Sequence, residues 1–203
     1  MQLALLRERI PYQAGTLAAC LLITSAALVF SNQLTAPAIE RAARADLQSS
    51  LTQVLPEGMV DNDMLRDARQ ILTENGASVT VYRGSKAGQY AAAVFESSAI
   101  GYAGEIRVLI GVDAGGTVMG VRVLKHAETP GLGDKIEIAK AGWIRGFEHK
   151  SLQNLAPERW AVKKDGGIFD QFAGATITPH AVVKAVKLGL DFYAAHANEI
   201  AGE

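Results

Sequence analysis

The stretch EIRVLIGVDAGGTVMGVRVL, residues 105–124, decides the fold. Apolar and β-branched residues dominate residues 105–112 and 118–124, which is the composition of two strands. The residues between them, 113–116, read Asp-Ala-Gly-Gly and are typical of a turn. The stretch therefore predicts two neighbouring strands of an antiparallel meander.

Alternation along the first of these strands indicates a buried face, because side chains two residues apart lie on the same side of a sheet. The alternating residues are Ile106, Val108 and Ile110 against Arg107, Leu109 and Gly111. Residues 78–83 and 90–96 have a similar composition, and Gly84 and Gly101 follow them. We predict an α+β fold, an antiparallel sheet packed with helices.

Helical patterns precede the sheet. Apolar residues recur every fourth position over residues 39–55, which predicts an amphipathic helix that stops at Pro56. Asp61, Asn62 and Asp63 are good helix N-caps, so we expect a second short helix over residues 64–72.

After the sheet, residues 136–140 predict a short helical piece and residues 160–164 a strand. Residues 179–200 carry apolar positions on one side and predict the last helix. Thr178 is expected as its N-cap, with Pro179 at the first helical position.

The N-terminal region predicts one membrane helix. Residues 10–39 contain no Asp, Glu, Lys or Arg, and residues 12–34 are long enough to cross a hydrocarbon layer of ~30 Å. A lipoprotein-like box ends at Cys20, but the apolar run before it is short. A signal-peptidase-like site spans residues 36–38, but the apolar region exceeds the ~7–15 residues of a cleaved signal. We therefore favour an uncleaved anchor, with residues 1–37 as tail and anchor and residues 38–203 as one domain.

Composition excludes several functions. The 203 residues carry a net charge of -1 without a cationic cluster, so nucleic acid is not an expected partner. Cys20 is the one cysteine in the sequence, which excludes an intrachain disulfide, a cysteine-ligated cluster and a thiol redox pair. No phosphate-binding Walker loop, dinucleotide fingerprint or GxSxG elbow occurs. Any redox chemistry needs a cofactor made elsewhere.

The first candidate site is HAETPGLGD, residues 126–134. Thr129-Pro130-Gly131 suits a type II turn, and Gly131 and Gly133 would let the backbone approach a flat ligand. An ordinary strand-to-helix loop explains the same residues. A metal site is not predicted, because His126 and Glu128 have no further ligand at suitable spacing.

The second candidate site is DQFAGATITP, residues 170–179. Small residues around Thr176 would expose its hydroxyl beside the first turn of a helix, where free N–H groups favour an anion such as phosphate. A capped helix start with close packing is the alternative.

Together and in this order, GYAGEIRVLIGVDAGGTVMGVRVLKHAETPGLGDKI and DQFAGATIT make a more specific pattern. The sequence resembles the FMN-binding domain of the G subunit of the Rnf ion-translocating electron-transport complex. It also resembles the related C subunit of the sodium-pumping NADH:quinone reductase. The short chain favours the Rnf protein.

The resemblance implies a covalent FMN, whose phosphate a separate flavin transferase esterifies to the threonine of a D-x-x-(S/T)-G-A-T motif. Thr176 would be the acceptor, Gly174 and Ala175 would give access, and Asp170 would be the acidic position. Ala173 departs from the motif, which has Ser or Thr there.

Other residues are expected near the flavin. Thr178 is a second hydroxyl close to the acceptor. The expected near wall of the flavin pocket comprises His126, Glu128, Thr129, Gly131, Leu132 and Gly133.

The resemblance also implies a role. The chain would relay electrons in a membrane complex coupled to Na⁺ or H⁺ movement, with ferredoxin and NAD⁺ bound by other subunits. It would not be catalytic alone, and it has no predicted catalytic or metal-binding residue. Its partners would be other membrane subunits, the transferase and lipid. The domain would lie on the periplasmic side of a bacterial inner membrane. A membrane-tethered binding or assembly module without redox chemistry is the alternative.

Overall fold

The computed structural model describes residues 10–73, 76 and 78–202. Residues 1–9, which begin the predicted tail and anchor (residues 1–37), lie outside the described residues. The chain divides into two compact units, Met1–Leu47 and Gln48–Glu203. The α+β prediction is confirmed, since an antiparallel sheet is packed with helices in the second unit.

The first helix, α1, spans Ile10–Val54 and is continuous through both of the helices predicted before Pro56. It is long and apolar enough to cross a membrane, by length and composition. Many of its large apolar side chains are exposed, which means that no other part of the described chain covers them. They include Leu21, Leu22, Ile23, Leu28, Val29 and Phe30. Pro37 lies inside the helix, and the Arg41 side chain donates a hydrogen bond to its carbonyl oxygen at 3.0 Å.

Within the described residues, five strands form one antiparallel sheet in the order of the chain. They are β1 (Ala68–Leu72), β2 (Ser78–Lys86), β3 (Gln89–Ile100), β4 (Glu105–Asp113) and β5 (Val118–Lys125). The last four confirm the four predicted strands. The hairpin predicted at residues 113–116 joins β4 to β5, with Gly116 in the left-handed region at φ 79°.

The helix predicted over residues 64–72 is wrong, because its second half is the edge strand β1. Ile71 pairs with Val79 of β2 and is only 2% exposed. Two of the three expected capping residues bond to β2 and the turn after it: the Asn62 side-chain oxygen accepts the Ser85 N–H and an Asp61 carboxylate oxygen accepts the Ala87 N–H, both at 2.8 Å. Pairing with β2 buries Ile71, and this outweighs local helix propensity.

Both faces of the sheet are covered in the second unit. Helix α2 (Ile177–Ala201) packs closely on one face, where a Cβ on Gly189 would come within 2.5 Å of Ile110 Cδ1. The last turn of α1 packs on the other, where a Cβ on Gly111 or Gly120 would come within 2.8 Å of the Val54 carbonyl oxygen.

In the described part of the chain, four 3₁₀ turns lie between β5 and α2. They are Asp134–Ile136, Gly142–Phe147, Pro157–Arg159 and Lys163–Asp165. The helical piece predicted over residues 136–140 is wrong: the first 3₁₀ turn ends at Ile136, and residues 137–140 form a turn in which the Lys140 N–H donates to the Glu137 carbonyl oxygen at 3.0 Å. The strand predicted over residues 160–164 is wrong, since only an isolated bridge joins Val162 to Phe169. The chain turns there because Lys163–Asp165 is a 3₁₀ turn, which Gly166 ends at φ 85°.

Candidate functional site

A tight turn carries the small residues before α2. The Ala175 N–H donates to the Phe172 carbonyl oxygen at 3.2 Å, and Gly174 lies between them at φ 80°. A side chain at this φ is strained, whereas glycine adopts it freely. A Cβ on Gly174 would meet only Leu132, at an ordinary 3.5 Å. The turn therefore needs glycine for its backbone angle rather than for space.

A cluster of aromatic side chains packs against the segment that leads into this turn. Phe172 is buried and packs edge-on against Trp143, with ring centroids 5.2 Å apart. Phe147 contacts Trp143 and stacks on Phe169 at 4.4 Å. The Trp143 indole N–H donates to the Asp170 carbonyl oxygen at 2.8 Å. The segment before Thr176 is thus held in place by the packing of Phe169 and Phe172 and by the hydrogen bond from Trp143.

Thr176 is the N-cap residue of α2, yet its hydroxyl makes no capping hydrogen bond. A capping threonine has an extended backbone, which directs its oxygen at the N–H groups of the first turn. Thr176 has helical angles instead, φ −71° and ψ −30°, and it is exposed. Its hydroxyl is therefore not engaged in helix capping.

Thr178 is not the N-cap that the sequence predicts. Helix α2 begins at Ile177, so Thr178 is its second residue and Pro179 its third. Thr178 is fully buried, and its hydroxyl donates to Glu128 Oε2 at 2.5 Å. Proline is still tolerated there, because N–H groups in the first turn of a helix have no partner within it.

The predicted turn at Thr129-Pro130-Gly131 is confirmed. The Leu132 N–H donates to the Thr129 carbonyl oxygen at 3.1 Å, and Gly131 has φ 78°. The Gly133 N–H donates to the same oxygen at 3.0 Å. This geometry places Leu132, which is 42% exposed, on the surface facing the Gly174 turn.

The buried Glu128 carboxylate joins three segments. Oε1 accepts the backbone N–H groups of Tyr102 and Ala103 at 3.0 and 3.1 Å, in the loop between β3 and β4. Oε2 accepts the Thr178 hydroxyl at the start of α2. Two glycines leave room for it, since a Cβ on Gly101 or Gly133 would approach its oxygens within 2.5 and 3.0 Å.

These segments enclose a cleft of about 350 Å³ beside Thr176. Its lining consists of Tyr102, Glu128, Thr129, Leu132, Gly133, Gly174, Ala175, Thr176, Ile177 and Thr178. The structure therefore brings the two candidate stretches together at one site. Tyr102 and Ile177 were not predicted, although an aromatic residue next to Gly101 and an apolar residue directly after Thr176 were visible in the sequence.

Three predicted site residues lie outside the lining of this cleft. His126 Nε2 lies 2.9 Å from Glu137 Oε1, and His126 Nδ1 accepts the Glu128 N–H at 3.1 Å. His126 therefore stabilises the loop that carries Glu128 without lining the cleft. Asp170 forms an ion pair with Lys163 at 2.5 Å. Gly131 supplies the turn and lines nothing itself.

His180 is a further residue close to Thr176 that was not among the predicted site residues. It lies four residues after Thr176, on the same side of α2. Its Nδ1 is 2.5 Å from the Thr176 carbonyl oxygen, and its Nε2 is 2.6 Å from Asp165 Oδ2. The hydrogen bond to Thr176 and the neighbouring Asp165 carboxylate raise the pKa of His180, against the opposing effects of partial burial and Lys164.

The residues of the cleft suit a flavin phosphate. An exposed hydroxyl lies at the positive end of a 25-residue helix, where an anion is stabilised. Tyr102, Leu132 and Ile177 add exposed apolar surface for a flat ring system. Among the described residues there is no group of His, Cys, Asp or Glu that could hold a metal ion.

The model of the family "FMN-binding domain" matches residues 101–191, which include the cleft residues Glu128 and Thr176. The matched region starts in the Tyr102 loop and ends within α2. The chain belongs to the family of G subunits of ion-translocating oxidoreductase complexes.

Two relatives carry this assignment. The G subunit of the ion-translocating oxidoreductase complex of Stutzerimonas stutzeri is 47% identical over 93% of this chain and 82% of the relative. The corresponding G subunit from Cereibacter sphaeroides is 46% identical over 88% of this chain and 82% of the relative. The predicted resemblance to the Rnf protein is therefore confirmed.

A solved structure shares the fold. The crystal structure of NqrC from Shewanella oneidensis superimposes with a TM-score of 0.50, covering 70% of this chain and 76% of that one. The two chains are 21% identical. This similarity concerns the fold alone.

Proposed function

We propose that this chain is a membrane-anchored electron-relay protein whose FMN is bonded through its phosphate to Thr176 Oγ. Membership of the family of G subunits and the FMN-binding domain support an electron-transport role with FMN. When bound, FMN supplies the capacity to accept and release one or two electrons. The protein contributes attachment, orientation and shielding.

The observation that carries the proposal is the unused hydroxyl of Thr176. The hydroxyl of an N-cap threonine normally accepts a hydrogen bond from a backbone N–H of the first helical turn. Thr176 has helical backbone angles, its hydroxyl makes no such bond, and the residue is exposed. Thr178, the other nearby hydroxyl, is fully buried and bonded to Glu128. The contrast between the two supports Thr176 as the acceptor.

Attachment is a phosphoryl-group transfer. Thr176 Oγ forms a bond to the flavin phosphorus of an activated flavin phosphoanhydride, which the transferase supplies. The anhydride P–O bond breaks, its electron pair leaves with the departing phosphate, and the hydroxyl proton goes to a base on the transferase. The positive end of α2 stabilises the phosphate that remains on the protein.

The N-terminal helix supports a membrane anchor. A stretch without charges and with exposed apolar side chains is stable in lipid and unfavourable in water. The domain after it would lie on the periplasmic side of a bacterial inner membrane, beside the other subunits of the complex. A covalent bond would keep FMN on the protein in a compartment that does not replenish it.

A denaturing gel tests the proposal on the full chain produced with its transferase. Wild-type protein should give a fluorescent flavin band, because only a covalent bond survives denaturation. Thr176→Ala should abolish the band, and Thr176→Ser, which keeps a hydroxyl, should retain part of it. Thr178→Ser is the matched control and should fluoresce like wild type. A fluorescent band from Thr176→Ala would contradict the assignment.

A further inference from the structure

His180 is placed between two groups that can only accept hydrogen bonds. Its Nδ1 faces the Thr176 carbonyl oxygen, and its Nε2 faces the Asp165 carboxylate. A peptide carbonyl has no proton to donate, and neither has an ionised carboxylate. Both contacts are hydrogen bonds at the same time only when both ring nitrogens carry a proton, that is, when the ring is an imidazolium.

The same helix provides an internal comparison. His196 Nδ1 lies 2.9 Å from the Phe192 carbonyl oxygen, which is the same contact with the residue four positions earlier. His180 differs in having a carboxylate on its second nitrogen. The local contact thus recurs along α2, whereas the link to a separate segment is specific to the acceptor site.

The 3₁₀ turn Lys163–Asp165 forms ion pairs with residues on both sides of Thr176 in the sequence. Asp165 belongs to the 3₁₀ turn Lys163–Asp165 and pairs with His180, after Thr176. Lys163 of the same turn pairs with Asp170, before Thr176. The two ion pairs fasten the ends of the segment to one support.

We infer that His180 is a positioning residue for flavin attachment: its imidazolium ties the Thr176 carbonyl to Asp165 and so fixes the peptide that presents the acceptor hydroxyl. This inference rests on the proposed attachment at Thr176. His180 does not line the cleft and takes no part in the bond-forming step. Its effect is to limit the orientations that the Thr176 side chain samples.

The bridge depends on pH with a definite sign. The pKa of His180 is raised above its ordinary value of 6.5, first by the hydrogen bond to Thr176 and then by Asp165. The bridge is therefore fully present below pH 6.5 and is lost as pH rises through the raised pKa. The charged groups that act on the ring are Asp165, which favours the imidazolium, and Lys164, which opposes it.

The first test measures how fast transferase adds flavin to purified full-length chain across a pH range. His180→Ala should be slower by about tenfold at low pH, since misplaced reacting groups lose rate steeply. The transferase has its own pH dependence, so the readout is the ratio of wild-type to variant rates. This ratio should fall towards one as pH rises through the His180 pKa. His196→Ala is the matched control and should behave like wild type.

Asp165→Asn keeps the histidine and removes the charge that stabilises it. The pH at which its attachment rate falls to that of His180→Ala should be lower than in the wild type. Circular dichroism of each variant checks that the fold is retained. Nitrogen NMR of the full chain without flavin provides a readout independent of attachment. At about pH 6, below the ordinary histidine pKa, both ring nitrogens of His180 should be protonated in wild type.

The outcomes separate the two proposals. Absence of flavin on Thr176 of the wild type would refute the proposed function. Flavin on Thr176 with equal rates for wild type and His180→Ala, or a rate ratio that does not change with pH, would overturn the positioning role alone. A single protonated ring nitrogen under the same acidic conditions would overturn it as well.

Discussion

At the scale of single residues, the site depends on one buried carboxylate. Glu128 is 5% exposed and accepts hydrogen bonds from Tyr102, Ala103 and Thr178. These partners belong to segments far apart in the sequence that meet at the cleft. Its role is one of architecture, since it orients the walls around Thr176.

Replacing Glu128 tests this role. Glu128→Ala leaves two N–H groups and a buried hydroxyl without their acceptor, so we expect a loss of about 2–4 kcal/mol in the free energy of unfolding. Urea unfolding of the full chain in detergent, followed by tryptophan fluorescence, measures it. Glu158→Ala removes an exposed carboxylate and should change stability by less than about 0.5 kcal/mol. Equal losses in the two variants would refute the role of Glu128.

Single residues also show which parts of the site the sequence could predict. Thr176, Gly174 and the Thr129-Pro130-Gly131 turn follow from local patterns, because turn and motif chemistry is local. The bond from Thr178 to Glu128 joins positions 50 residues apart. Neither residue's local pattern contains that pairing, and so Thr178 was misassigned as a cap.

At the scale of elements, close contact between α2 and the sheet sets the position of Thr176. Ser97 of β3 donates to the Ala185 carbonyl oxygen at 2.7 Å, and Gly189 faces Ile110 and Phe95. The Tyr90 and Tyr193 hydroxyls are 3.0 Å apart further along the helix. Because α2 begins at the cleft, any shift of this helix on the sheet moves Thr176.

Gly189→Ala tests this packing. Alanine favours a helix over glycine by about 1 kcal/mol, but its Cβ would come within 2.5 Å of Ile110 Cδ1 and 3.1 Å of the Phe95 ring. Overpacking costs about 1–3 kcal/mol, so the variant should be less stable than wild type in urea unfolding. Lys184→Ala, at an exposed position of α2, is the control and should be near neutral. A stabilised Gly189→Ala would show that the contact is loose.

Elements differ in how far the sequence determines them. The meander from β2 to β5 follows from alternating apolar residues and turn glycines, and it was predicted. The edge strand β1 was not, because residues 64–72 have a helical pattern and become a strand only by pairing with β2. Residues 160–164 were predicted as a strand, but a 3₁₀ turn and Gly166 end any extended run there.

At the scale of the whole molecule, a helix long and apolar enough to cross a membrane is followed in the chain by a domain in which Thr176 is exposed. The family assigns the chain to the G subunits of ion-translocating oxidoreductase complexes. The cleft offers a helix terminus for phosphate and exposed apolar side chains for a ring. The proposed attachment at Thr176 would make these features parts of one function, because it would keep an electron carrier fixed on an anchored domain.

Mass spectrometry tests this central claim most directly. Full-length chain produced beside its transferase should have an intact mass increased by one FMN joined with loss of water. Fragmentation of the proteolytic peptide that spans residues 165–184 should place the added mass on Thr176. An intact mass equal to that of the unmodified polypeptide, or the added mass on another residue, would contradict the account.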